Sequence, residues 1–128
     1  MTEEFLHYIW RYGLYRQKSL STSEVFDVTV IKAGWLNRDS GPDFLNARIR
    51  IGKAEWIGHV EIHLKASDWY QHQHQHDPHY DQVILHVVYQ LDKAVYTTGG
   101  SIIPAIELEV DECYFDTYMA MVNNISPI

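Results

Sequence analysis

A chain of 128 residues makes one domain, long enough to bury roughly 65–70% of the surface its unfolded form exposes. Hydrophobic residues at 46% and charged residues at 21%, with four Trp and nine Tyr, exclude disorder and collagen-like or coiled-coil character. A formal charge of -7 argues against holding nucleic acid by bulk electrostatics, and the single Cys113 excludes a disulfide framework and a cysteine-built zinc site.

In chain order, Glu3 to Tyr15 reads as an amphipathic helix. Thr2 is its N-cap, Glu3 and Glu4 face the positive end of the dipole, Phe5, Tyr8, Ile9 and Tyr12 keep the apolar spacing, and Gly13 marks the fraying end. Gln17 to Ser23 reads as polar connector, Val25 to Ile31 as a strand, and Asn37 to Pro42 as a loop. Phe44 to Ile51 and Glu55 to Leu64 are two strands joined by the short turn Gly52-Lys53, a hairpin. On its second strand, Ile57, His59, Glu61, His63 and Lys65 share one face.

Ser67-Asp68-Trp69 has the composition of a helix start, with Ser67 as cap, and Gln71 to His79 reads as a polar, histidine-rich helix or helix plus loop. Val83 to Tyr89 is a nearly continuous apolar run interrupted by His86, the signature of a buried central strand. Thr97 to Gly100 is a turn and Ile102 to Val110 a further strand. A final helix covers Asp111 to Asn124, with Tyr114, Tyr118, Met121 and Val122 as packing positions. The expected class is α/β or α+β: one domain over residues 1–128, a mixed sheet flanked by helices. No apolar run approaches the ~18 residues of a membrane span, and Met-Thr-Glu-Glu is no signal-peptide start, so a cytoplasmic protein away from membranes is expected.

Two groups of residues carry metal chemistry. The first is the hairpin. Glu61 and His63 point to one face, and Asp43 at the start of the partner strand would add a second carboxylate, the set that Mg2+- or Mn2+-assisted phosphodiester hydrolysis requires. Lys65 shares that face two residues further on. With a two-residue turn, Asp43 would oppose Ile62 and lie on the wrong side, so the site demands a bulge or a longer loop near Asp43. The same face would also suit a merely solvated sheet. The second group is His72, His74, His76 and His79. On a helix His72 and His76 lie one turn apart, a spacing that suits zinc, although a polar exposed face reads the same way. One or two of these imidazoles, with Asp77 and Trp69, would otherwise flank the substrate of the hairpin site.

Several strings resemble one family: Thr2 to Trp10, Gly41-Pro42-Asp43-Phe44, Ala47 to Gly52, Trp56 to His63, Ser67-Asp68-Trp69, and then His72, His74, Asp77, Tyr80 and Val83 to Val88. They are similar to the bacterial domain-of-unknown-function family 2851, and the hairpin resembles the core of PD-(D/E)xK nucleases. Family 2851 implies no established activity. Its pattern marks Asp43, Glu61, His63, Asp68, Trp69, His72, His74, Asp77, Tyr80 and His86, and its typical length implies that this chain is an N-terminal domain or shortened form whose partner is a missing C-terminal part. The nuclease resemblance implies an αβββαβ, restriction-endonuclease-like core acting on DNA or RNA, with Asp43, Glu61 and His63 around the metal, Lys65 beside them, and Trp69, His72, His74, Asp77 and Tyr80 flanking substrate. His63 stands where those nucleases carry Lys. The alternatives are a non-catalytic binding or assembly module with the same fold, and a zinc hydrolase built on His72 to His79.

Overall fold

Why the chain folds as it does is clearest at its first helix. The computed structural model describes residues 1–16, 26–97 and 99–123. Helix α1 (Glu3–Tyr12) begins where the Thr2 hydroxyl accepts the Phe5 N–H at 3.2 Å, and it buries Phe5, Leu6, Ile9 and Trp10. It ends three residues before the expected Tyr15 because Gly13 adopts φ 66, a left-handed cap whose N–H returns to the last turn. Tyr15 instead bridges to Val110.

Strand β1 (Val28–Lys32) lies slightly later than expected, and Val25 and the Gln17–Ser23 connector fall outside the described residues. A two-residue strand β2 (Trp35–Leu36) precedes the loop; so short a strand leaves no alternation to read. The hairpin forms as expected, with β3 (Phe44–Ile51) and β4 (Ala54–Lys65) joined at Gly52-Lys53. Then come helix α2 (Asp68–Gln71), two 3-10 turns (His74–His76 and Pro78–Tyr80), strand β5 (Val83–Gln90), short strand β6 (Ala105–Glu107) and helix α3 (Cys113–Asn123). Pro104 and the loop around it confine β6 to three residues of the expected Ile102–Val110.

The sheet runs β1-β3-β4-β5-β6, with β2 also on β3. Pairs β1–β3 and β3–β4 are antiparallel, whereas β4–β5 and β5–β6 are parallel. One face carries Phe44, Ile49, Val60, Ile62, Leu85 and Val87 against α1. A second cluster, with Trp69, Tyr80 and Val88, lies beneath the α2 region. Helix α3 buries none of its residues: Tyr114 and Tyr118 pack against the first core, but Met121 and Val122, expected to pack, are exposed. Among the described residues no helix is long and apolar enough to cross a membrane.

The detail that positions the site is a β-bulge. From Ile51↔Ala54 to Ala47↔Gly58 the register is constant, then it shifts so that Phe44 faces Val60. Asn46 takes up the extra residue at φ 55, and its N–H donates to the His59 ring at 3.2 Å. Asp43 therefore comes opposite Glu61, and the bulge that the hairpin site required is present. Asn46→Val should destabilise the protein by about 1–2 kcal/mol, because a β-branched side chain resists the left-handed region, whereas Asn46→Gly should be near neutral. Urea denaturation of both variants checks this; equal stabilities would show that the bulge does not need that conformation.

Candidate metal centre

Glu61 and His63, two residues apart on β4, project to the face opposite Val60 and Ile62 and are only 3% and 1% exposed. Asp43 closes one side. Its N–H donates to Glu61 Oε1 at 3.1 Å, and its Oδ2 accepts the Ile62 N–H at 2.8 Å. From α1, His7 brings Nε2 to 3.5 Å from the same Oδ2.

The connection after β4 supplies the rest. Asp68 accepts the Lys65 N–H, and the Asp92 carboxylate accepts both the N–H and the hydroxyl of Ser67. Ser67 is thus held by Asp92 and does not cap α2 with its side chain. Helix α2 stops at Gln71, and Gln73 at φ 57 turns the chain back, so His72 and His74 both reach toward β4. His72 Nδ1 lies 3.2 Å from His63 Nε2. His74 Nε2 lies 2.7 Å from Glu61 Oε2, and that oxygen lies 3.4 Å from His63 Nε2. One ligand atom from each of His63, His72 and His74 falls within 4.8 Å of the others. Behind them, His86 Nε2 is 2.8 Å from His63 Nδ1. Tyr80 stacks on the His74 ring at 3.8 Å, and Trp69 packs edge-on to His74 and His86.

Burial keeps the rings of His63, His74 and His86 neutral. Burial, reinforced by the neighbouring His86, His74 and His72, lowers His63 to about 2. Burial likewise brings His74 to about 4 and His86 to about 3. The Glu61 carboxyl is pushed far above the usual range, first by burial and then by the Asp43 charge. Asp43 is the partner that stays ionised: its own burial is outweighed by the nearby His7 imidazole, by Glu61 and by the Ile62 N–H. Although His74 Nε2 and Glu61 Oε2 are so close, the contact lacks hydrogen-bond geometry, and His74 Nε2 is a buried atom without a partner. A lone pair and a carboxyl oxygen that meet at this distance share a proton in the metal-free protein, and the imidazole nitrogens gathered around them are the donor type that zinc takes.

Of the expected residues, Glu61 lies beside His63 and Asp43 beside Glu61, but the ligand atoms grouped within 4.8 Å of one another are those of His63, His72 and His74, not of the expected set Asp43, Glu61 and His63. The helical pair of His72 and His76 does not form: the chain leaves the helix after Gln71, and His76 is exposed. Lys65 lies exposed at the end of β4, where its charge acts on Asp92. Trp69 and Tyr80 are walls, 1% and 8% exposed, so Trp69 offers no open face for a base. Asp77 is engaged by the backbone and ring of His79, away from the three imidazoles. His86 has the hydrogen-bonded partner expected of a buried histidine, and that partner is His63. Sequence reading missed His7 and Glu3. Their one-turn spacing on the polar face of α1 was the available signal, and the Glu3 carboxyl is raised by burial and by Asp43.

One family model, described as protein of unknown function (DUF2851), matches residues 3–128. No curated protein and no solved structure matches the chain significantly.

The lowered imidazole values set a pH dependence for the metal-free protein. In the unfolded chain these rings protonate near pH 6.5, whereas in the fold His63, His74 and His86 stay neutral well below that, so the unfolded state binds more protons. Glu61, held protonated in the fold, offsets one of the three. The stabilisation from the three rings is complete above about pH 6.5 and is lost as pH falls toward their folded values of about 4 to about 2, each net proton contributing about 1.4 kcal/mol per pH unit. Melting of chelator-treated protein should therefore shift steadily downward between pH 7 and 5, and less steeply in His86→Leu. A flat profile would contradict burial of neutral imidazoles.

Proposed function

The chain belongs to the DUF2851 family, and on that premise we propose that it is a zinc-dependent hydrolase of phosphodiesters. The observation that carries this reading is the convergence of His63, His72 and His74 beside the Glu61 carboxyl. Tetrahedral zinc with nitrogen ligands sets neighbouring ligand atoms about 3.3 Å apart, close to the 3.2 Å between His63 Nε2 and His72 Nδ1. Three imidazoles suit zinc better than Mg2+, which selects oxygen ligands. His63 would ligate through Nε2. That fixes it as the Nδ1–H tautomer, donating to His86 Nε2, and the buried partner holds the ring in orientation.

When bound, such an ion supplies Lewis-acid polarisation of a phosphoryl oxygen and an acidified water. The protein's own groups do the rest. Glu61, whose own proton a cation bound beside it would displace, would then accept the proton of the attacking water with its raised affinity and return it to the leaving alkoxide. Asp43 maintains that affinity through its charge, and His7 and the Ile62 N–H keep Asp43 ionised. Trp69 and Tyr80 exclude water from the buried side, while the exposed His72 lies on the side open to substrate. Phosphodiesters are favoured as substrates because Asp43 and Glu61-x-His63 sit on one hairpin. The order of helix, antiparallel strands, short helix and parallel strand also accords with the nuclease-like core that the hairpin resembles.

Protein purified without a polyhistidine tag should retain about one zinc per chain and hydrolyse bis(p-nitrophenyl) phosphate. His63→Ala should lose both properties. Glu61→Gln should keep the zinc and lower kcat by about 10²–10⁴-fold, the usual contribution of a general base. Protein that takes up no zinc on reconstitution, or full turnover by His63→Ala, would sink the proposal.

A further inference from the structure

The face of the sheet that carries Glu61 and His63 does not end at the metal centre. It continues across β4, β3 and β1, where no helix covers it, and the side chains there follow from the pairing. Arg48 is opposite Ile57, Arg50 opposite Glu55 and Thr29, and Lys32 opposite Arg48. The alternation along β3 buries Ala47 and Ile49 and leaves Arg48 and Arg50 exposed. Trp35, on β2, pairs with Leu45, which points away from the buried Phe44. Trp35 and Ile57 are 77% and 69% exposed, the two most exposed large apolar side chains among the described residues. Soluble domains rarely display such groups together without a use for them.

Charge is distributed unevenly along the chain in a way that singles out this surface. Residues 28–58 hold five of the ten Lys and Arg but only three of the seventeen acids, whereas residues 107–116 hold five acids and no Lys or Arg. The net charge of -7 therefore does not describe this face. Away from Glu61 and Asp43 at the metal centre, Glu55 is the acid on this face, and it is bound to Arg48 through Nε at 2.8 Å, which holds the guanidinium in place. Neither Lys32 nor Arg50 forms an ion pair with any described residue. His59 accepts the Asn46 N–H at Nδ1, so its neutral ring presents Nε2–H outward as a donor. Along β4, Ile57, His59, Glu61 and His63 follow at every second residue, a track of about 20 Å that leads into the metal centre.

We propose that this open face binds single-stranded nucleic acid, with Trp35 as the stacking surface, Ile57 as an apolar contact and Lys32, Arg48, Arg50 and His59 on the phosphates, and that it delivers the strand to the metal centre. The inference deepens the hydrolase reading and rests on it for the delivery step. An exposed indole beside a row of cations is an arrangement that recognises unstacked bases and a flexible backbone.

Fluorescence anisotropy with a short labelled oligodeoxythymidine and the matching oligouridine tests the proposal, in chelator so that no cleavage occurs. Binding should weaken about tenfold or more in Trp35→Ala and in Arg50→Glu, and Arg50→Glu should also reduce the dependence on salt. Intrinsic tryptophan fluorescence should be quenched by the strand in the wild type and much less in Trp35→Ala. Both substitutions lie on the exposed face, so hydrolysis of bis(p-nitrophenyl) phosphate should be unchanged. Equal binding by wild type and both variants, preference for a duplex of the same length, or self-association lost in Trp35→Ala without any oligonucleotide binding would each overturn the proposal. The two readings fail separately. Intact small-diester turnover without strand binding removes the docking face alone, whereas Trp35-dependent strand binding without small-diester turnover removes the hydrolase alone.

Discussion

His63 is an imidazole with no access to water, and both its ring nitrogens meet other imidazoles, His86 behind and His72 in front. A ring in that position cannot carry a proton at neutral pH, and a neutral ring has only one N–H to share between two partners. With Nδ1–H directed at His86, the lone pair at Nε2 is left facing His72, His74 and Glu61. Much of the surrounding fold serves this arrangement. Strand β4 must be buried on both faces from Val60 to His63, β5 must pair with it in parallel so that His86 comes beside Glu61, and the bulge at Asn46 must bring Asp43 level with Glu61.

The separation of roles between the two carboxyl groups follows from their surroundings. Asp43 receives a backbone N–H and lies near His7, so its negative charge is compensated. Glu61 is more deeply enclosed and lies beside that charge, so it favours the protonated form. Two acids opposite one another on a hairpin thus acquire opposite tendencies, the condition under which one can act as a proton carrier while the other stays ionised.

How much of this was legible in the sequence varied with the kind of signal. The hairpin, the buried β5 and the start of α1 were plain because alternation, apolar runs and capping residues are local. Even the bulge announced itself, since counting register from Gly52-Lys53 placed Asp43 on the wrong face unless one existed. The convergence of His72 and His74 on β4 was not legible. It depends on helix α2 stopping after one turn and on a left-handed Gln73, a conformation that a glutamine rarely adopts and that composition does not mark. The same applies to His7 and to Glu3, which reads as a dipole partner alone; their nearness to Asp43 is set by how α1 crosses the sheet. Lys65 and Asp77 were attractive by type and proximity, yet each is drawn to another partner.

X-ray absorption at the zinc edge of the untagged protein tests the central claim most directly. The account predicts one tightly held zinc with a shell of about three imidazole nitrogens near 2.0 Å, their outer-ring scattering visible, and loss of one of them in His72→Ala. An all-oxygen shell, or a metal whose environment is unaltered by substitutions at His63, His72 and His74, would contradict it.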